Sequence, residues 1–520
     1  MKSRFTRAKG IEERIKGDPI AVLQDAHQKL KQAETLRLNH NLGHAEKICV
    51  ELVKTFPDYY GALHTLGLIH SEKLEHSIAV VYLTQAAMLN QRSWSTLTAL
   101  AGEYLALGAK EMASRALRDA LRITSSRPEI YVMLAEVYYE EREYVLAAEA
   151  AEKALELEPD MEAAMRSLAA AYDALGRFVE ERAILDRLLD LKPPTIGLVA
   201  RIASLPSALI ERDLIAELDR AEVHHSVSPA DAEIDKAFVR AVAYDKAGRY
   251  QEAWEMAVKA NDSVSSQIKK EMSQELSSVK QRADWFAKKL PRYRNKTNID
   301  PDYPTSLYIL GPSRSGKTTT ERIIATQPGV YRGYENPAMP RAITNAFQEG
   351  ALVTFNSIGQ LPLQLYPFVK EFYKDNLDKI IGKNKIFTNT TPGHIWDSPI
   401  SSQAIPNTKF VFLKRDFHDL LLRIYMKNYK SGNTYSYELG VLREYIQHYE
   451  KMIDLMHEAF PKNSIIINYE AMVQDPGKTL DRICKLCGLV PDHDLLPIVP
   501  SDVGCSEPYR ELIDAALDKQ

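Results

Sequence analysis

Pro57, Pro159 and Pro193 stand 102 and 34 residues apart, and 102 is three times 34. A fixed period of this length means repeated small units, none of which buries its apolar face alone. In a 34-residue frame opened at Ala26, Tyr60, Trp94, Pro128 and Glu162, position 8 reads Ala33, Gly67, Ala101, Ala135 and Ala169. Position 20 reads Ala45, Ala79, Ala113, Ala147 and Glu181, and position 27 reads Leu52, Ala86, Ala120, Ala154 and Leu188. Position 11 holds Tyr104, Tyr138 and Tyr172, and a sixth copy from Ile234 supplies Ala241, Tyr244, Ala253 and Ala260. Small residues at 8, 20 and 27 let two helices cross closely, with the aromatic filling the groove beside them. A proline at position 32 ends the second helix, because its ring clashes inside one.

This pattern resembles the tetratricopeptide repeat over residues 20–262, with a degraded copy expected in Ile196–Glu233. The resemblance implies an all-α solenoid of about six to seven repeats. Such a stack docks a protein or peptide in its groove, or serves as a spacer or dimerisation arm. The chain of 520 residues exceeds one domain, and its 66 Lys+Arg against 70 Asp+Glu argue against a nucleic-acid coat. Four cysteines fit a reducing compartment. Cys484 and Cys487 have zinc-like spacing but no second such pair, so they read as helix-packing residues. Met1–Gly10 lacks the apolar core of a signal peptide, and no run approaches the ~18 apolar residues of a membrane helix. The expectation is a cytoplasmic protein without membrane insertion.

Residues 263–300 read as a helical connector ending in proline- and Asn/Asp-rich sequence, and 301–520 as a second domain. Apolar runs Ser306–Leu310, Lys385–Thr388, Lys409–Leu413 and Ser464–Ile467 predict strands. Helical stretches such as Leu420–Tyr429 and Leu439–Ala459 lie between them, so the domain is expected to be α/β with a mainly parallel sheet. Gly311-Pro-Ser-Arg-Ser-Gly-Lys-Thr318 follows the first strand and precedes a helix, which is the Walker A pattern in its required context. Glycine lets the backbone approach an anion, while loop amides and the helix N-terminus turn positive charge toward it. Lys317 and Arg314 add full charges, and the Thr318 hydroxyl can reach an oxygen of the anion. A nucleotidase also needs a strand ending in a Mg²⁺-holding aspartate. The candidate strands lead instead to Asn389, to Lys414-Arg415, and to Asn468.

Arg314-Ser-Gly-Lys-Thr318, Gln327-Pro-Gly-Val330 and Gly333-Tyr-Glu335 are similar to the opening of the sulfotransferase domain. Phe410–Asp419, Tyr425, Tyr435–Leu439, Tyr469-Glu470 and Cys487-Gly-Leu489 follow that family's order, so the likeness spans residues 305–490. It implies transfer of a sulfuryl group from 3′-phosphoadenosine-5′-phosphosulfate (PAPS) to a hydroxyl, with no metal. By this resemblance Arg314, Ser315, Gly316, Lys317, Thr318 and Thr319 cradle the phosphosulfate, Arg415 and Arg423 serve the 3′-phosphate, and Glu335 is the base. The chain departs from the family at Ser313 for Pro, Lys317 for Thr, Arg423 for Ser and Thr390 for Lys, and its tail beyond Leu495 is short. Two readings stay open beside sulfuryl transfer: an ATP-dependent kinase or NTPase using the full Walker A match, and a non-catalytic repeat protein with a degenerate domain. His394 is the next candidate base after Glu335.

Overall fold

A computed structural model describes residues 19–223, 227–293, 299–349, 363–496 and 501–519. The basic segment Met1–Gly10, residues 350–362 and parts of the connector and of the tail lie outside the described residues. The chain divides into two compact units, the first ending at Lys192 and the second beginning at Pro193.

In the first unit ten helices form five hairpins among the described residues. Their first helices begin at Tyr60, Trp94, Pro128 and Glu162, the positions where the 34-residue frame opens, after an initial pair Pro19–Leu38 and Leu42–Thr55. Every residue at frame positions 20 and 27 is buried. A Cβ on Gly67 would lie 2.5 Å from Leu83 Cγ, so the first helix can meet the second this closely only without a side chain. Frame position 15 takes a left-handed backbone in all five hairpins, at His40, Leu74, Gly108, Arg142 and Gly176. This conformation ends the first helix and suits glycine, yet three of the five residues carry a Cβ.

The second unit opens with short helices Ile196–Ala203 and Leu214–Asp219, joined by a bridge between Thr195 and Glu222. These are shorter than the paired helices of the other repeats. The hairpin Pro229–Lys246 and Tyr250–Ser265 follows, and then the helix Lys269–Tyr293, which carries Pro291 inside its last turn. This hairpin packs on the α/β part. The Trp254 ring lies 5.6 Å from Tyr425, Asn261 donates to Tyr425 O at 2.9 Å, and the Tyr509 hydroxyl donates to Asp245 at 2.7 Å.

The sheet has five parallel strands in the order β2-β3-β1-β4-β5: β1 Thr305–Leu310, β2 Val330–Tyr331, β3 Ile386–Asn389, β4 Lys409–Lys414 and β5 Ser464–Asn468. β2 is the strand that no apolar run signalled. Tyr308, Leu310, Phe387, Phe410 and Phe412 face one core, and Leu307, Ile309, Ile386, Val411 and Leu413 face the other. Burial on both faces explains why these strands read as continuous apolar runs rather than alternating ones. Cys484 is fully buried in the second core, in the helix Pro476–Cys487. From β1 the chain moves toward β2, whereas β4 leads away to β5. The loops after β1 and β4 therefore separate at their carboxyl ends, where parallel sheets bind ligands. No described helix is long and apolar enough to cross a membrane.

Candidate functional site

The loop between β1 and the helix Lys317–Ala325 is tightly specified. Arg314 and Gly316 both take left-handed backbone, with φ of 65° and 96°. A Cβ on Gly311 would lie 2.3 Å from Ser315 Oγ, and one on Gly316 would lie 2.5 Å from Tyr469 Cδ2. Left-handed backbone at a residue with a Cβ costs about 1–2 kcal/mol and survives where the surroundings demand it. Ser315 is fully buried, and its hydroxyl has no hydrogen-bond partner. Ser313 and Tyr429 share a hydroxyl hydrogen bond of 2.7 Å that ties the loop to the chain after the helix Phe417–Tyr425. Thr318 is exposed and Thr319 half-buried at the helix start.

Lys317 is only 7% exposed, and its ammonium donates to Pro312 O at 2.8 Å. Burial pulls its pKa down to about 8; Glu335 pushes back upward, and Arg314 and Lys427 add to the depression. A cation held inside its own loop, beside a second cation, is a site short of negative charge.

Glu335 is exposed and stands within electrostatic reach of both Lys317 and Tyr429. Its loop is held by Glu321, a fully buried acid one turn into the helix Lys317–Ala325. Glu321 accepts from Tyr334 N–H at 2.9 Å, the Thr388 hydroxyl at 2.6 Å and Arg332 Nε at 3.1 Å. Tyr334 itself has a left-handed φ of 54°, and Thr390 N–H donates to its carbonyl at 2.8 Å. A Cβ on Gly333 would lie 2.0 Å from Thr388 O, so only glycine allows this approach. The segment that lacks the family's lysine at Thr390 is thus a wall that supports the Glu335 loop.

Arg415 follows β4 and is buried. It donates to Arg314 O at 2.9 Å and Asp502 O at 3.1 Å, pairs with the Asp502 carboxylate at 3.0 Å, and lies 4.3 Å over the Tyr469 ring. Arg423, in the helix Phe417–Tyr425, donates to the other Asp502 oxygen at 2.8 Å. Tyr469 donates its hydroxyl to the same carboxylate. Arg415 and Arg423 hold Asp502 far below the usual carboxylate range, against the opposing effect of burial. Arg314 shares the field of Arg415, Arg423 and Asp502, whereas Glu335 acts on Lys317 and Tyr429. Lys246, from the hairpin Pro229–Ser265, joins the field of the arginines: burial, then Arg423, lowers its pKa. His394 is buried with its Nε2 unpartnered and meets Tyr308 edge-on at 5.4 Å.

Residues 306–493 match the model of the sulfotransferase family, and residues 128–161 match a tetratricopeptide repeat model. An uncharacterized protein of Aquifex aeolicus (strain VF5) is 19% identical over 372 residues, 70% of this chain; the chain spans about half, 48%, of that curated relative's length. Similar solved structures include pilF of Pseudomonas aeruginosa, 16% identical over 37% of this chain and 88% of that one, with a TM-score of 0.35. A tetratricopeptide repeat protein from Parabacteroides merdae is 18% identical over 46% of this chain and 93% of that one, also with a TM-score of 0.35. The chain joins N-terminal tetratricopeptide repeats to a C-terminal domain of the sulfotransferase family.

Proposed function

We propose that this protein transfers a sulfuryl group from PAPS to a hydroxyl acceptor, and that its repeats dock the protein or peptide that carries or accompanies the acceptor. The observation that carries this reading is the loop Gly311–Thr319 with the Glu335 carboxylate within electrostatic reach of its Lys317. The unpartnered, buried Ser315 hydroxyl and the inward Lys317, on a loop whose turn Gly311 and Gly316 permit, fit a phosphosulfate group. Arg415 and Arg423 form a second cationic pair suited to the 3′-phosphate, with Asp502 between them.

The donor supplies an activated sulfuryl group that moves in line from its phosphate to the acceptor oxygen. Lys317, Arg314 and the loop amides stabilise the negative charge that builds on the bridging oxygen, the largest single aid in such transfers. The Glu335 carboxylate takes the acceptor's hydroxyl proton. Glu321 fixes the Tyr334 amide and so sets where that carboxylate stands. β3 ends in Asn389, and β4 ends in Lys414 and is followed by Arg415, which brings one guanidinium to this edge of the site.

The test is transfer of radioactive sulfate from PAPS to a mixed panel of hydroxyl acceptors by the full chain, compared with Glu335→Gln. Transfer that falls in the variant supports the reading. Phosphoryl transfer from ATP, with none from PAPS, would replace it by the kinase reading.

A further inference from the structure

Asp502 has an unusual position. Its two carboxylate oxygens take the places of an anion between two guanidinium groups: Arg415 Nη2 at 3.0 Å on one oxygen and Arg423 Nε at 2.8 Å on the other. The Tyr469 hydroxyl adds a third donor to the first oxygen. Arg314 and Lys246 lie in the same field; of the nearby acids, Asp245 has another partner, and Asp419 stands 3.9 Å from Arg415 Nη2 while held mainly by the main chain beyond Asp502. Asp419 accepts from Gly504 N–H at 2.7 Å and from Ser506 N–H at 2.8 Å, while Asp245 accepts from Tyr509. Two arginines and a phenol converging on one point make a receptor for a tetrahedral oxyanion, whose charge and acceptor number exceed a carboxylate's.

Building on the proposed use of a nucleotide donor, we propose that Asp502 is the specificity-determining residue of the donor site. Its carboxylate occupies the subsite of the donor's second phosphate, and ligands gain from that phosphate only by displacing it. The main chain around Asp502 is pinned: Arg415 donates to its carbonyl at 3.1 Å, and Asp419 holds Gly504 and Ser506. The Asp502 side chain is 24% exposed and Arg423 20%, against 2% for Arg415, so a rotation of the short side chain uncovers Arg423 and frees Arg415 of its carboxylate contact without moving the segment. Asp502 thus costs the second phosphate most of its charge-assisted contacts, and the resident carboxylate weakens retention of the doubly phosphorylated product.

The experiment is calorimetric titration of the full chain with 3′,5′-adenosine bisphosphate and with AMP, in the native protein and in Asp502→Asn. Asparagine keeps an acceptor between the arginines and removes the charge. The ratio of the two affinities is the readout, since AMP has no second phosphate. We expect the ratio to rise roughly 10- to 100-fold in Asp502→Asn, the gain typical of one or two charge-assisted hydrogen bonds. Adding Arg423→Gln to that variant should bring the ratio back down. An unchanged ratio would overturn the proposal, as would a loss of bisphosphate binding in Asp502→Asn, which would make Asp502 an organiser of the arginines. If Asp502→Asn melts early, Asp502→Ser gives the same comparison. Should neither nucleotide bind the native protein, the donor-site reading falls and this proposal with it. Binding of both with an unmoved ratio overturns the role of Asp502 alone.

Discussion

Lys317→Met separates what the phosphate loop costs the fold from what it gives the ligand. The Lys317 ammonium ordinarily titrates at 10.5 and is held at about 8, mainly by burial. At ~1.4 kcal/mol per pKa unit, keeping the charge inside costs about 3 kcal/mol below pH 8. Methionine cannot make the ammonium's 2.8 Å hydrogen bond to Pro312 O, a loss of about 1 kcal/mol for the variant. Methionine fills similar space without charge, so the variant should be about 2 kcal/mol more stable at pH 7 while losing anion binding. The sign follows from proton counting. Between pH 8 and 10.5 the unfolded chain holds more protons at Lys317 than the folded one, so native stability rises with pH across this window relative to the variant. The advantage of Lys317→Met therefore shrinks from pH 8 upward. Denaturant melts of both proteins from pH 7 to 9.5 read it directly. Binding has the opposite slope: a bound anion raises the Lys317 pKa, so affinity should fall up to about tenfold per pH unit above 8. Parallel stability curves, or a native protein more stable than the variant at pH 7, would refute the reasoning.

Glu335→Gln should lower turnover about 10²–10⁴-fold with donor affinity nearly unchanged, as measured by sulfate transfer and calorimetry. Equal turnover would remove Glu335 and make His394 the next base to test. Glu321→Gln keeps size but weakens the charge-assisted bonds to Arg332, Thr388 and Tyr334, so turnover should fall with a smaller change in donor affinity; a change in donor affinity alone would contradict a role in setting the Glu335 loop. Leu74 is 75% exposed with a left-handed φ of 62°, so Leu74→Gly should raise stability by up to about 1 kcal/mol in thermal melts. Gly67→Val should lower it by about 1–3 kcal/mol, because its Cβ would press on Leu83.

The repeat was legible because its small residues recur where helices touch, and the frame openings coincide with helix starts at Tyr60, Trp94, Pro128 and Glu162. The four longer strands were legible because burial on both faces leaves unbroken apolar runs. β2 was not, since Val330–Tyr331 is too short to show a pattern. The helix after β4 spans Phe417–Tyr425 rather than Leu420–Tyr429, because the Asp416 side chain accepts from Asp419 N–H at 3.0 Å and caps it early. The strand, loop and helix around Gly311–Thr318 were legible from local spacing alone. Glu321 was not, because one acid in a helix has no signature until Arg332 and Thr388, 11 and 67 residues on, close around it. Asp502 was hidden for the same reason: its arginines lie 87 and 79 residues upstream. Lys246 was masked by its place in a repeat, where every polar residue reads as surface.

Calorimetry of the full chain, with 3′,5′-adenosine bisphosphate in EDTA and separately with Mg-ATP, tests the central claim most directly. The account predicts that the bisphosphate binds without divalent metal, and that Lys317→Ala weakens it roughly 10- to 150-fold, the worth of one charge-assisted contact of about 1.5–3 kcal/mol. Binding of Mg-ATP alone, or bisphosphate binding indifferent to Lys317→Ala, would contradict it.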